Sequence, residues 1–178
     1  MKEQGYIPKD LAFNNEARNK LISGISKISN AVKSTLGPQG QTVLIESTEH
    51  TQGLTVTKDG VTVAKSIFLI DPIENLAVRM MKQASEKTAN TAGDGTTTAI
   101  VLTEALVKAG QKYIDKEDNI IKVVREIRKA GDKLLKRIKE ESVEVTDDML
   151  KDIATISANN DSEIGEIIAK AYKEVGRD

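Results

Sequence analysis

The sequence Gly-Asp-Gly-Thr-Thr-Thr at residues 93–98 constrains the fold of this chain more than any other feature. It stands between two segments with helical periodicity, so the chain must leave one helix, turn tightly and enter another. Gly93 and Gly95 can adopt positive φ angles and allow a ligand to approach the backbone closely. The first turn of the second helix has amide donors without partners, and its positive dipole end attracts anions. This segment therefore predicts an anion-binding helix start.

Asp94 is an acidic side chain at a place where an anion is expected. A Mg²⁺ ion shared by Asp94 and phosphate oxygens would resolve that conflict, because Mg²⁺ usually takes one or two carboxylates together with substrate phosphates. The alternative is a simple N-cap, in which Asp94 caps the helix after a glycine-rich turn. Three threonines in the first turn are poor helix formers without another purpose, and they favour the triphosphate interpretation.

The composition fits a globular protein and removes several classes of function. The chain has 178 residues, 39% of them hydrophobic and 30% charged, as is ordinary for a folded domain. A net charge of −1 and an aromatic content of 3% give no reason to expect a nucleic-acid or anionic-membrane surface. The absence of cysteine excludes disulfides, zinc–thiolate sites and cysteine nucleophiles. The expected location is the cytoplasm.

Hydrophobic periodicity predicts a mainly α-helical fold with a small β-hairpin. The first helix is expected from about Asn14 to Leu36, and Asp71-Pro72 has the N-cap and first-turn signals of a second helix that ends near Gly93. The strands of the hairpin are expected at residues 42–45 and 54–57. Further helices are expected from the threonines to about Gly110, from near Asp118 to about residue 141, over residues 147–153, and around Ile164, Ile167 and Ala171.

Two other glycine-containing segments could contribute to a phosphate site. Residues 35–40 (Thr-Leu-Gly-Pro-Gln-Gly) end the first helix, and residues 58–60 (Lys-Asp-Gly) form a turn after the second strand. Each is an ordinary structural signal when taken alone. If the hairpin brings these turns to residues 93–98, they form a concave polar site with Lys58, Asp59 and Asp94, as a metal–phosphate site requires. A Walker P-loop and a dinucleotide-binding glycine motif are both absent from the sequence.

The order of four motifs resembles the chaperonins, and the intervening sequence resembles the group I, GroEL-type branch. The motifs are residues 35–40, residues 57–61 (Thr-Lys-Asp-Gly-Val), residues 93–99 and residues 155–159 (Thr-Ile-Ser-Ala-Asn). The resemblance begins at about Leu11 and implies an ATP-driven folding ring. It divides the chain into the N-terminal half of an equatorial, ATP-binding domain at residues 1–142 and the first segment of an intermediate domain at residues 143–178.

The resemblance also implies roles for individual residues. Asp94 would hold Mg²⁺, while Asp59 would lie near the γ-phosphate and help to position the attacking water, so these two carboxylates would be catalytic. Lys58 would reach phosphate, and Ile156 would contact the nucleotide from the hinge side. The other residues that would contact ATP, through backbone groups or hydroxyls, are Thr35, Leu36, Gly37, Pro38, Gly95, Thr96, Thr97 and Thr98. Catalysis would then consist of positioning and charge neutralisation.

The length of the chain leaves three hypotheses open. At about a third of a multidomain chaperonin, the chain is expected to be an N-terminal fragment of an ATP-dependent folding subunit. The expected partners of the whole protein are other ring subunits, unfolded client proteins and a co-chaperonin, the latter two through an apical domain. The alternatives are a non-enzymatic module that docks into full-length rings and a small stand-alone ATPase. The isolated chain is expected to have little or no ATPase activity.

Overall fold

The computed structural model describes residues 10–37, 39–46, 53–114, 119–158 and 160–176. Over these ranges the chain forms helices and one antiparallel two-stranded sheet. In chain order the elements are α1 (Asn14–Lys33), β1 (Val43–Glu46), β2 (Leu54–Thr57), α2 (Gly60–Ser66), α3 (Pro72–Ala92), α4 (Thr96–Ile114), α5 (Ile120–Glu141), α6 (Asp147–Ser157) and α7 (Ser162–Val175). The predicted mainly α-helical fold with a β-hairpin is confirmed. Among the described helices, none is long and apolar enough to cross a bilayer.

The chain divides into two compact units, Met1–Lys112 and Tyr113–Asp178. The first unit contains α1, α2, α3, the hairpin and α4 as far as Lys112, together with all three glycine-containing turns of the predicted phosphate site. The second unit contains α5, α6 and α7. The domain boundary between residues 142 and 143 stays a prediction.

The core of the first unit lies between α1, α2, α3 and α4. Its buried residues come from all four helices, which is why the turns between these helices are held in place. The buried cluster consists of Ile28, Val32, Val63, Ala64, Val78, Met81 and Ile100. Val43 and Ile45, on one face of β1, pack against this cluster, whereas Leu44 of the opposite face is exposed.

The crossing of α1 and α3 is close and polar at its edge. Gly24 on α1 faces the backbone of Glu74 on α3, at a distance that leaves no room for a side chain. The Glu74 carboxylate accepts hydrogen bonds from the Ser23 hydroxyl at 2.7 Å and from the Lys27 ammonium at 2.5 Å. Asp71 caps α3 through the amides of Ile73 and Glu74, as its position before Pro72 predicts.

We expect the free energy of unfolding to fall in acid, because Asp71 and Glu74 both have lowered pKa values in the folded chain. The amide of Glu74 and the Lys20 ammonium hold the pKa of Asp71 below 3.8. Hydrogen bonds from Lys27 and Ser23 hold the pKa of Glu74 below 4.5. Each carboxylate therefore contributes stability that is complete above its unfolded pKa and is lost as the pH falls through its lower folded pKa. Urea denaturation at a series of pH values from about 7 to about 3 measures this loss.

The matched control for this pH dependence is Glu74→Gln. The amide cannot titrate, so the unfolding free energy of this variant should change less with pH than that of the wild type. A variant that follows the wild-type profile throughout would contradict the assignment to Glu74.

The second unit contains one closely packed helix pair and one long exposed helix. Gly165 on α7 lies directly against Thr155 on α6, and Ala154 and Ala169 are buried in the same unit. Helix α5 begins after its N-cap Asn119, while Asp118, where its start was predicted, lies outside the described residues. No residue of α5 is buried, and its apolar stripe is exposed. That stripe comprises Ile120, Val124, Ile127, Leu134, Leu135 and Ile138.

Candidate functional site

The turn between α3 and α4 has the backbone conformation that its glycines predict. Gly93 ends α3 with φ +75°, and its amide donates to the carbonyl of Ala89 at 2.9 Å. Gly95 has φ +82°, so two left-handed residues flank Asp94. A side chain at either glycine would be strained in this region of backbone space. The chain therefore turns within three residues and places Asp94 at the junction of two helices.

Asp94 is exposed, and its carboxylate accepts a hydrogen bond from the amide of Gly95 at 2.6 Å. The carbonyl of Gly95 accepts the first intrahelical bond of α4, from the amide of Ala99 at 2.9 Å. The amides of the first helical turn, on Thr96, Thr97 and Thr98, precede that bond, and such amides have no acceptor within a helix. A solvent-facing carboxylate thus stands beside the donor end of a helix.

Asp59 caps helix α2, which begins directly after the hairpin. Its carboxylate accepts hydrogen bonds from the Thr62 amide at 2.8 Å, the Thr62 hydroxyl at 2.6 Å and the Val61 amide at 3.3 Å. Burial by itself would raise the pKa of Asp59, but these hydrogen bonds outweigh burial and lower it below 3.8. Asp59 is consequently ionised near neutral pH. Lys58, the preceding residue, is exposed.

The sequence predicted only a turn at residues 58–60 and missed helix α2 (Gly60–Ser66). The helix has seven residues, and its β-branched residues Val61, Thr62 and Val63 resemble a continuation of the strand. A usable signal was present: Asp59 is an N-cap residue, and Val63, Ala64 and Ile67 have helical spacing.

The starts of α2 and α4 meet at Gly60. A Cβ atom built on Gly60 would overlap the hydroxyl oxygen of Thr97 and lie 3.2 Å from the Cβ of Thr97. It would also lie 3.3 Å from a methyl group of Val32, in the last turn of α1. The first unit therefore brings three segments together: the end of α1, the start of α2 with Asp59, and the start of α4 with its threonines.

The segment after α1 is a compact hydrogen-bonded turn. The Thr35 hydroxyl donates to the carbonyl of Val32 at 2.8 Å, and the amide of Gln41 donates to the carbonyl of Ser34 at 2.6 Å. Leu36 is 47% exposed, and Gly37 has φ +78°. Pro38 lies outside the described residues. The turn directly follows the helix end that approaches Gly60.

Ile156 is not among the residues that the first unit brings together. It lies on α6 in the second compact unit, and its side chain is 67% exposed. Its predicted contact with the nucleotide stays a prediction.

The site does not resemble a metal centre built from protein ligands alone. Within the described part of the chain, no group of three or more His, Cys, Asp or Glu residues could hold a metal ion. An exposed Asp94 can still supply one carboxylate to Mg²⁺, since this ion commonly takes its remaining ligands from substrate phosphates and water. The donor set therefore fits a metal that arrives with its nucleotide.

Comparison with known proteins gives the family. The model of the TCP-1/cpn60 chaperonin family matches residues 28–178. The chain is 45% identical over 169 residues to the protein named Chaperonin GroEL of Methanospirillum hungatei JF-1, covering 94% of this chain and 31% of that protein. This chain belongs to the TCP-1/cpn60 chaperonin family.

Solved structures agree with this assignment. The chaperonin gp146 from the bacteriophage EL 2 (Pseudomonas aeruginosa), crystallised in the presence of ATP-BeFx, matches with a TM-score of 0.76 and 29% identity over 90% of this chain and 28% of gp146. A group III chaperonin in the open state matches with a TM-score of 0.73 and 27% identity over 90% of this chain and 32% of that protein. The chain thus spans about a third of the length of the relatives that it matches.

Proposed function

We propose that this chain supplies the ATP-binding part of a chaperonin subunit that assists protein folding in a homo-oligomeric ring. The observation that carries the proposal is the junction at Gly60, where the capped start of α2 meets the threonine-rich start of α4. The gp146 chaperonin was crystallised with an ATP analogue, which supports nucleotide as the ligand of this family. Identity of 45% to a protein named GroEL supports the group I branch.

The residues of the first unit have distinct roles in this proposal. Amides and hydroxyls at Thr96, Thr97 and Thr98 donate to phosphate oxygens at the positive end of α4. The ammonium of Lys58 adds a cation at the start of α2. Asp94 holds Mg²⁺, which when bound neutralises phosphate charge and orients the polyphosphate.

Asp59 completes the catalytic assignment. Its carboxylate is ionised and held by three hydrogen bonds at the start of α2, so it presents a fixed acceptor beside the phosphate-binding turn. We assign it to orienting the attacking water towards the γ-phosphate. Hydrolysis then depends on positioning and charge neutralisation rather than on a covalent intermediate.

The remaining assignments concern the whole protein. The turn at Thr35, Leu36, Gly37 and Pro38 lines the nucleotide through its backbone. Unfolded clients and a co-chaperonin bind an apical domain, and the protein works in the cytoplasm.

The test of this function is Mg²⁺-dependent ATP binding and hydrolysis by the full-length protein. We expect the wild type to bind ATP and Asp94→Ala to reduce hydrolysis on the order of a hundredfold, because the carboxylate that would hold the charge-neutralising Mg²⁺ at the phosphates is lost. Titration calorimetry with and without Mg²⁺, together with a phosphate-release assay, measures both effects.

Asp132→Ala is the matched control, since it removes an exposed carboxylate from α5 in the other unit. It should leave binding and hydrolysis unchanged. The proposal fails if the wild type binds no ATP, or if Asp94→Ala retains wild-type binding and hydrolysis.

A further inference from the structure

Helix α4 contains a buried carboxylate that the proposed ATP site does not use. The side chain of Glu104 is 2% exposed. The ammonium of Lys33, on α1, donates to one of its oxygens, and that of Lys108 donates to the other at 2.6 Å. Burial alone would raise the pKa of Glu104, but hydrogen bonds from Lys108 and Lys33 outweigh burial and lower it below 4.5. Glu104 is therefore charged near neutral pH.

Stability alone is a weak reason for a carboxylate at this position. Removing a charged pair from water has a desolvation cost that the attraction does not always offset, and apolar replacements are often equally stable. The side chains of Lys33 and Lys108 are 41% and 49% exposed, so solvent also screens the attraction. The more informative property of Glu104 is where it lies.

Glu104 shares one face of α4 with the phosphate-binding turn. Thr96, Ile100 and Glu104 are four residues apart and are all buried, with exposed fractions of 9%, 0% and 2%. At a rise of about 1.5 Å per residue, Glu104 lies about 12 Å along the helix from Thr96. Any shift of Glu104 along the helix axis therefore shifts the threonines by the same amount.

On α1, Lys33 lies beside a proposed nucleotide-contacting turn, as Glu104 lies on the helix that begins with one. Lys33 is the last residue of α1, and its carbonyl accepts a hydrogen bond from the amide of Leu36 at 3.1 Å, within the turn that follows. The bond between Lys33 and Glu104 thus ties the helix end that leads into Thr35 to the buried face of α4. Lys108 binds the same carboxylate from α4 itself and ties nothing to α1.

We propose that Lys33 and Glu104 form a positioning pair that fixes the turn after α1 relative to the first turn of α4. This spacing sets the affinity for the ATP polyphosphate, which both turns contact in the proposed site, so the inference rests on the proposed function. Neither side chain is assigned a contact with the nucleotide, because Glu104 is buried and the ammonium of Lys33 donates to it. The pair acts through the backbone segments that it holds.

The test compares the two lysines that share this carboxylate. Lys33→Met removes the link to α1, and we expect it to weaken ATP binding by roughly tenfold through misplaced donors. Lys108→Met removes an equivalent ammonium from Glu104 and should leave ATP affinity unchanged. The thermal unfolding midpoint of each variant is measured beside its ATP affinity. Both variants should stay folded at the temperature of the titration, so a general loss of folding would not account for weaker binding by Lys33→Met alone. Lys33→Arg, which keeps a cationic donor, should restore most of the affinity.

A third variant separates positioning from direct contact. Glu104→Leu frees Lys33 without removing its charge, and we expect ATP binding as weak as that of Lys33→Met. The double variant, Lys33→Met with Glu104→Leu, should bind ATP no more weakly than either single variant, because both changes break the same link. If Lys33 were itself a phosphate ligand, Glu104→Leu would leave the affinity intact, and that result would overturn the positioning role.

The outcomes distinguish this inference from the proposed function. A wild-type protein that binds no ATP rejects the ATP site and the positioning pair together. If the wild type binds ATP and Lys33→Met binds it as tightly as Lys108→Met does, the positioning pair is rejected and the proposed ATP site is retained.

Discussion

Gly24→Ala is expected to lower the free energy of unfolding by about 3 kcal/mol, at the upper end of the range for overpacked cores. The new Cβ would overlap the carbonyl oxygen of Glu74 and would lie 2.9 Å from its carbonyl carbon and 3.0 Å from its Cα. Backbone atoms cannot rotate away from this overlap as a side chain could. Helices α1 and α3 would have to separate, and the hydrogen bonds from Ser23 and Lys27 to Glu74 would lengthen. Urea denaturation followed by circular dichroism measures the change.

Gly131→Ala on α5 is the matched control for this substitution. A Cβ at Gly131 would meet nothing within 4 Å among the described residues. Alanine loses less backbone entropy than glycine on entering a helix, so this variant should be more stable by about 0.5–1 kcal/mol. Equal destabilisation by the two substitutions would show that the α1–α3 crossing is not the cause.

The sequence predicted most helices because their signals are local. Asp71 and Pro72 mark the start of α3. In the structure the Asp71 carboxylate accepts hydrogen bonds from the amides of Ile73 and Glu74, as an N-cap side chain should. The end of α1 was predicted near Leu36, but the helix ends at Lys33. The hydroxyls of Ser34 and Thr35 bond back to the carbonyls of α1 and close a turn there instead. Helix α6 was predicted to end at Ile153 and continues to Ser157.

The candidate site was only partly predictable, because its parts come together through long-range packing. The three turns are visible as glycine-rich signals, and their chemistry follows from Asp59, Asp94 and the threonines. The close approach of Gly60 to Thr97 cannot be predicted from the sequence, because no local pattern relates a residue that follows a hairpin to one in α4. Contacts of this kind depend on how α1, α2 and α4 pack together, and apolar periodicity within each helix does not reveal that packing.

Glu104 shows a second limit of sequence reasoning. A glutamate four residues before a lysine, as with Glu104 and Lys108, is typical of an exposed helix face. The spacing of Glu104 from Thr96 and Ile100 also places it on the buried face of α4. A charged residue on that face does not fit the apolar periodicity from which buried positions are predicted. The approach of Lys33 from α1, added to the hydrogen bond from Lys108, explains why a carboxylate can be buried there, and no local pattern predicts that approach.

Gly60→Ala is expected to weaken ATP binding on the order of tenfold, since the substitution displaces donors that must meet the phosphates together. The added methyl group would overlap the Thr97 hydroxyl and would crowd Val32 at 3.3 Å. The start of α2 must then move away from the start of α4, and Asp59 moves with it. The same overlap should lower the free energy of unfolding by about 1–3 kcal/mol. ATP titration and urea denaturation of the same preparation measure both effects.

Combining Gly60→Ala with Thr97→Ala separates steric overlap from loss of a ligand. Thr97→Ala removes the hydroxyl that the new methyl group would strike, although the Cβ of residue 97 stays 3.2 Å away. The double variant should therefore recover part of the stability lost in Gly60→Ala. Its ATP affinity should not rise above that of Thr97→Ala, because the hydroxyl that donates to phosphate in the proposed site is absent. A double variant no more stable than Gly60→Ala would show that the close approach of α2 and α4 does not govern this junction. Recovered stability without recovered affinity would instead show that packing and phosphate binding depend on the same hydroxyl group.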